Sequence, residues 1–376
     1  MPAHKPKVFI CALEASADFY GAALAKRLLQ EGVDVVGSGG RHMRNSGMRL
    51  VANSSWGVLG ANDALKRAPK LLPSAAKIAS SILFTKPGLF IPIDGAGFNV
   101  PLCKLAKKCG WRVLYFIPPQ SHQEHTEARD LPRITDAVVT PFARSADSLR
   151  SQSVNAYCWG HPLSELIYSG TSESTERSAI ALLPGSRPSE IKTNLPILAE
   201  LAKSINERFV ISAAPTTSVA KIRKEWSRLT GAAGEITDVP VSQLLSKSSA
   251  AVVCSGTAVL EAALCDCPTV VFYRASEKLE AEARRRFGGA RPAFIALPNI
   301  IMNRQIFPEL LQGDATPIKI FSELKSIIHD EGGKRSKQMQ DMAELRKSLG
   351  GTHALSKSCE LVMSLLNKSE PPVSDY

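Results

Sequence analysis

Ala251-Val-Val-Cys-Ser-Gly-Thr-Ala-Val-Leu-Glu261 is an apolar run that stops at Ser255-Gly256-Thr257 and resumes with Val259, Leu260, Ala263 and Leu264 at helical spacing. An uninterrupted apolar strand suits a parallel sheet buried on both faces, so the stretch predicts strand, tight turn and helix N-terminus. The first turn of a helix presents backbone N–H groups and the positive end of a dipole, which suits a phosphate. Gly256 lets backbone approach a ligand, and Ser255 and Thr257 can cap the helix or donate hydroxyls. Glu261 falls one turn after Thr257 on the same face, where a carboxylate can take both hydroxyls of a ribose. The same residues also suit a capped core helix with a surface glutamate.

A second unit of this kind is Ile180-Ala-Leu-Leu-Pro-Gly-Ser-Arg187, whose arginine is a permanently charged fork suited to a diphosphate. Two such turns in one half of a chain point to a nucleotide-sugar site. A third segment has Leu297-Pro-Asn299 followed by Phe307-Pro-Glu-Leu-Leu-Gln312. LPGSR, SGTAVLE, and LPNII with PELLQ, in this order, resemble the lipid-A-disaccharide synthase family of inverting glycosyltransferases. The likeness is collinear over most of the chain and looser in its first half.

The resemblance implies an α/β protein of two doubly wound, Rossmann-like domains facing a cleft (GT-B-like). It implies transfer of an acylated glucosamine from UDP-diacylglucosamine to diacylglucosamine 1-phosphate, giving a β-1,6 disaccharide and UDP. Arg187, Ser255, Gly256, Thr257 and Glu261 would hold the UDP-sugar, and Asn299 and Glu309 would finish its pocket. No cofactor is implied, because a helix dipole and an arginine stabilise the leaving diphosphate. Members work in the cytoplasm, peripheral on the inner membrane, and can form homodimers.

Bulk properties are consistent with this. A chain of 376 residues exceeds one ordinary core, and 44% hydrophobic residues is a globular composition. We expect an acceptor-binding α/β domain over 1–163 and a nucleotide-sugar domain over 164–350. A C-terminal helix and mobile tail would occupy 351–376. Lys and Arg number 46 against 35 Asp and Glu, a net +11 that favours an anionic partner: nucleic acid, an acidic membrane surface or a phosphorylated substrate. No nucleic-acid-binding motif is present and aromatics are sparse at 6%, so no nucleic-acid partner is expected. Eight cysteines without Cys-x-x-Cys spacing read as reduced core residues of a cytosolic protein. No signal peptide or run of 18 apolar residues is seen.

In the first half, a strand from Lys7 to Leu13 runs into Glu14-Ala-Ser-Ala-Asp18 and a helix, the opening of a doubly wound domain. The family has glycines where this chain has Leu13 and Ala17, while Glu14, Ser16 and Asp18 are kept as acceptor-side candidates. Val58 to Phe84 reads as helix in more than one piece because Pro69 and Pro73 interrupt it. Its lysines and arginine interleave with leucines, which suits either an anionic bilayer surface or an ordinary amphipathic surface helix. Leu89-Phe-Ile-Pro-Ile-Asp94 is a strand that delivers a carboxylate at its C-terminal end, where ligands of open α/β sheets sit. A cap of the next turn is the other reading of Asp94. The resemblance makes Asp94 the general base and adds Asn99 beside it.

His122 and His125, with Glu124 and Glu127, lack the spacing that puts two ligands on one helix face, so no metal site is expected. Gly160-His-Pro-Leu163 reads as a hinge edge before a polar stretch, and Pro196 as the first turn of a helix through Ile205. Three departures fall on the acceptor side. The family's aromatic segment is replaced by Ile117-Pro-Pro-Gln-Ser-His-Gln123, Ala143 stands where the family has a glutamate, and Leu13 and Ala17 replace glycines. Two other readings fit a nucleotide-binding chain of this fold: a UDP-sugar epimerase, and a paralogue that binds nucleotide or lipid without turnover.

Overall fold

Lys7–Ala12 (β1) is an all-apolar strand after its first residue, and it can be buried on both faces only at the centre of a parallel sheet. In the computed structural model it lies there. The structure describes residues 7–53, 61–118, 130–168, 177–232, 234–275, 280–281, 293–351 and 353–373. The chain forms two units, Met1–Leu166 with Leu349–Tyr376, and Ile167–Ser348.

The first unit carries β1, Asp34–Gly39 (β2), Arg49–Asn53 (β3), Leu89–Ile93 (β4), Arg112–Phe116 (β5), Ala137–Val139 (β6) and Ala156–Tyr157 (β7) in one sheet of order β3-β2-β1-β4-β5-β6-β7. All neighbours are parallel. The order reverses between β1 and β4, whose last residues Ala12 and Ile93 are in register. Helices Ala15–Gln30 (α1), Arg41–Asn45 (α2), Ala61–Phe84 (α3), Ala96–Lys108 (α4), Leu131–Ile134 (α5), Ala143–Ser151 (α6) and Pro162–Tyr168 (α7) complete the alternation. Phe9, Phe90, Trp111 and Tyr115 centre one face of its core, with Ile78 and Ile82 of α3 packed on it.

The second unit holds Ala179–Leu183 (β8), Phe209–Ser212 (β9), Ile236–Thr237 (β10), Ser248–Cys254 (β11), Thr269–Tyr273 (β12) and Glu309–Leu311 (β13). Their order is β10-β9-β8-β11-β12-β13, parallel throughout, reversing between β8 and β11. Its helices are Pro188–Ala202 (α8), Val219–Thr230 (α9), Val241–Ser246 (α10), Thr257–Leu264 (α11), Leu297–Met302 (α12), Pro317–Ile328 (α13) and Lys334–Ser348 (α14). The last helix, Ala354–Asn367 (α15), returns to the first unit. There Glu165 of α7 accepts the main-chain N–H of Leu355 at 2.6 Å, the hydroxyl of Ser356 at 2.8 Å and Arg27 Nη2 at 2.6 Å. A buried carboxylate thus caps the start of α15 and ties it to α1.

Four expectations are corrected. Pro69 and Pro73 do not divide α3, which runs unbroken from Ala61 to Phe84. Each proline removes its own N–H bond and crowds the carbonyl four residues back, yet the helix continues through both, and burial of Ile78 and Ile82 holds the later turns. Pro196 lies inside α8, whose first turn is set by Pro188. The polar stretch after the Gly160–Leu163 hinge edge begins as a helix, because α7 occupies it with Ser164 and Glu165 buried. The tail is pinned as far as Val373, whose carbonyl accepts the indole N–H of buried Trp159 at 2.8 Å, since a buried indole needs an acceptor.

Among the described residues no helix is long and apolar enough to cross a membrane. None of the eight cysteines forms a disulfide among the described residues, and seven of them are buried. His122 and His125 lie outside the described residues, and the described ones contain no cluster suited to a metal ion.

Candidate nucleotide-sugar and acceptor site

Ligands in doubly wound sheets bind beyond the carboxyl ends of the strands that flank the order reversal. In the second unit those strands are β8 and β11, and they end in the two turns singled out from sequence. Leu183 and Val253 are in register, so Pro184–Arg187 and Ser255–Thr257 emerge side by side. Each turn opens a helix, α8 and α11 respectively.

Arg187 is the N-cap of α8, and its Nη1 lies 2.7 Å from Glu190 Oε1. Ser255 is half-buried, and its hydroxyl donates to the carbonyl of Ile295 at 3.3 Å. Gly256 is exposed in extended conformation, which any residue adopts, so its value lies in lacking a side chain at the turn. Thr257 starts α11. Glu261 sits one turn along, and burial pushes its carboxyl up to about 7, with the main-chain N–H of Ser242 pulling the other way. Ser242 opens α10, so Glu261 joins two helices of this edge.

Asn299 and Glu309 act on each other. Asn299 is fully buried and donates to the Phe307 carbonyl at 2.8 Å and Glu309 Oε1 at 2.7 Å, while its oxygen accepts the N–H groups of Ile306 and Phe307. Its amide is filled by protein partners, so its part is to fix Glu309. Glu309 in turn accepts the main-chain N–H groups of Ile295 at 2.9 Å and Ala296 at 3.0 Å. Ser255, Ile295, Glu309 and Asn299 thereby form one connected network at the end of β11 and the start of β13.

In the first unit the reversal lies between β1 and β4. Glu14 is the N-cap of α1 and Ser16 stands half-buried in its first turn. Asp18 is buried and turned toward α2, where it accepts the N–H groups of Gly40, His42 and Met43 at 2.5, 2.9 and 3.2 Å. This is a carboxylate capping a helix N-terminus. Asp94 follows β4 with φ 51°, and Gly95 after it has φ 59°, two left-handed residues in succession. Asp94 Oδ1 accepts the Gly95 N–H at 2.7 Å. Asn99 is buried and donates to the carbonyls of Ile93 and Asp94. The hydroxyl of Tyr115 donates to the same Asp94 carbonyl at 3.0 Å. Left-handed backbone on a non-glycine residue costs energy and is held here by three side-chain bonds to one turn.

Leu13 reaches this turn. A Cβ placed on Gly95 would stand 3.2 Å from Leu13 Cδ1. His161, of the Gly-His-Pro segment, is buried between Tyr20 and Phe142 at ring-centroid distances of 6.1 and 5.8 Å. Burial lowers it to about 3, so it is neutral, and its Nδ1 accepts the Leu163 N–H at 3.1 Å.

The comparisons with known proteins bear on this arrangement. The model of the lipid-A-disaccharide synthetase family matches residues 8–363. The chain belongs to the lipid-A-disaccharide synthase family. The lipid-A-disaccharide synthase of Myxococcus xanthus (strain DK1622) is 31% identical over 96% of this chain and 98% of its own length. Solved structures share the fold. Arabidopsis thaliana UGT89C1 complexed with UDP superposes with a TM-score of 0.64 at 12% identity, covering 96% of this chain and all of its own. A UDP-N-acetylglucosamine 2-epimerase gives 0.59 at 11%, covering 99% and 100%. Glycosyltransferase and epimerase thus share this fold, which cannot separate them. Membership of the synthase family does, and it favours the glycosyltransferase.

Sequence reasoning passed over Glu190, Asn194 and Thr216, which hold the Pro184–Arg187 turn. A glutamate three residues into a helix is a capping pattern visible in sequence. Asn194 and Thr216 carry no such signal.

Proposed function

We propose that this protein transfers an acylated glucosamine from its UDP donor to the 6-hydroxyl of an acylated glucosamine 1-phosphate, forming a β-1,6 bond and releasing UDP. What carries the reading is the match to the synthase family along residues 8–363. The second unit would take the donor. Arg187 and the N-termini of α8 and α11 would bear the diphosphate, and Glu261 the ribose hydroxyls. Ser255, Gly256 and Thr257 would line the turn, with Glu309, fixed by Asn299, completing the pocket.

The first unit would supply the base. Asp94 would accept the proton of the acceptor hydroxyl as that oxygen forms its bond to the anomeric carbon. The bond from that carbon to the diphosphate oxygen breaks, and the electron pair leaves with UDP. Attack opposite the leaving group inverts the anomeric centre. Charge develops on the diphosphate, where helix dipoles and a fixed guanidinium stabilise it without a metal. Glu14 and Ser16, at the end of β1 beside Asp94, would face the acceptor. Asp18 and Asn99 would shape that side through α2 and the Asp94 turn.

The reading includes a cytoplasmic protein resting on the inner membrane, and a homodimer as one of its states. The later turns of α3 support the membrane part. Leu72, Leu83 and Phe84 are exposed at 66%, 50% and 83% of their surface, beside exposed Lys77 and Lys86.

The deciding experiment incubates the protein with UDP-diacylglucosamine and diacylglucosamine 1-phosphate. Mass spectrometry should find the disaccharide and an equal amount of UDP. No product from a protein that still binds UDP would leave a non-catalytic paralogue instead.

A further inference from the structure

The turn Pro184-Gly185-Ser186-Arg187 owes its shape to side chains outside it. Asn194 Nδ2 donates to the Pro184 carbonyl at 3.0 Å, and Thr216 Oγ1 donates to the Ser186 carbonyl. Glu190 does most. Its Oε2 accepts the main-chain N–H groups of Ser186 and Arg187, both at 3.1 Å, and its Oε1 takes Arg187 Nη1 at 2.7 Å. The carboxylate is 6% exposed and the arginine side chain 20%. Gly185 makes room for it: at φ 108°, a Cβ there would meet Glu190 Oε2 at 2.6 Å. Asn194 also touches Cys254 Sγ at 3.2 Å, which links this turn to the end of β11.

A buried carboxylate beside an anion-binding turn has two opposed effects. Its charge repels a diphosphate. Against that, it fixes the backbone of the turn and holds a long, rotamer-rich side chain in place before ligand arrives, which lowers the ordering cost of binding. Three hydrogen bonds from one buried carboxylate to this turn indicate that positioning wins.

We propose that Glu190 is a positioning residue for UDP recognition, acting through Arg187. This rests on the reading of Arg187 as the diphosphate ligand, and a double-mutant cycle separates the two claims. UDP affinity is measured by calorimetry on the wild type, Glu190→Gln, Arg187→Ala and the double variant, each checked for a cooperative melt. Glu190→Gln alone should weaken UDP by about tenfold, within the range of couplings between contacting residues. In the Arg187→Ala background there is no guanidinium left to position, and the glutamine keeps an oxygen that can accept the Ser186 and Arg187 N–H groups. With the negative charge gone, affinity there should hold or rise.

Equal weakening in both backgrounds would mean a purely structural role and overturn the proposal. So would wild-type affinity in Glu190→Gln. If Arg187→Ala itself leaves affinity unchanged, the diphosphate reading has failed instead. Should Glu190→Gln not fold, Glu190→Asp serves in the same cycle, since it keeps the charge but draws the carboxylate away from the turn. It should weaken UDP in the wild-type background and leave affinity unchanged in Arg187→Ala, and equal weakening in both would again overturn the proposal.

Discussion

Asn99 donates its Nδ2 to the main-chain oxygen of Asp94 at 2.6 Å and to that of Ile93 at 3.2 Å, so one buried amide pins the last residue of β4 and the left-handed residue after it. The carboxylate proposed as the base is therefore aimed by a side chain one turn into α4. Asp94→Asn keeps the shape and removes proton acceptance. Turnover should fall on the order of a hundredfold or more, the scale of general-base loss, with UDP affinity near normal. Asn99→Ala frees the turn instead, and misplacing the base by about 1 Å can cost a similar factor. Turnover assays beside UDP calorimetry check both variants. Wild-type turnover in Asp94→Asn would remove it from the mechanism.

Arg187→Ala should weaken UDP binding by about 1.5–3 kcal/mol, the scale of a hydrogen bond to a charged group. Calorimetry with UDP alone reads this without the lipid substrates. Lysine should rescue poorly, because a point charge reproduces neither the planar fork nor the contact with Glu190.

Glu261 gives a pH signature. Its carboxyl is pushed up from 4.5 to about 7 by burial. Below pH 4.5 it is neutral folded and unfolded, so burial costs nothing extra. Between the two values the unfolded chain ionises while the folded one keeps its proton, and stability falls as pH rises. Above about 7 the full penalty applies, on the order of 3 kcal/mol for a shift of this size. Glu261→Gln should flatten this limb, so its melting temperature relative to wild type should climb from pH 5 to pH 8. Parallel melting curves for the two proteins would count against a raised carboxyl.

Both sheets were legible in the sequence because their central strands are unbroken apolar runs that end in turn residues. β8, β11 and β12 need both faces buried, and only a parallel sheet offers that. The short edge strand β10, two residues long, and β13, whose three residues are all half-buried, carry no such signal. Helix starts were harder. Pro196 and Pro188 both suit a first turn, and Glu190 reaching back to the turn decides for Pro188. Asp94 could be read from its place at a strand end. Its left-handed backbone could not, because the bonds that hold it come from Asn99 and Tyr115, each distant in sequence or borne on another element. Asp18 shows the converse: a carboxylate in the right motif whose bonds all go to the backbone at the start of α2.

The acceptor side should prove weaker than the donor side. Leu13 and Ala17 stand where the family resemblance places glycines, and Ala143 where it places a glutamate. Leu13 Cδ1 is 3.2 Å from where a Cβ of Gly95 would lie, so its bulk borders the turn that carries Asp94. Ala17 is 1% exposed, so its methyl fills space on the first turn of α1. The donor turns carry no such change, since Arg187, Ser255, Thr257 and Glu261 are all present. Divergence confined to one substrate should alter the acceptor before it alters UDP recognition. We therefore expect UDP affinity comparable to that of a family member with intact motifs, and a lower kcat/KM on diacylglucosamine 1-phosphate. Leu13→Gly should raise that kcat/KM while lowering stability by about 2 kcal/mol, for the lost burial of a leucine and the added backbone freedom. Steady-state kinetics on both proteins and the variant decide the matter. Equal kcat/KM on this acceptor, unmoved by Leu13→Gly, would show that the bulk at this turn does not restrict the acceptor.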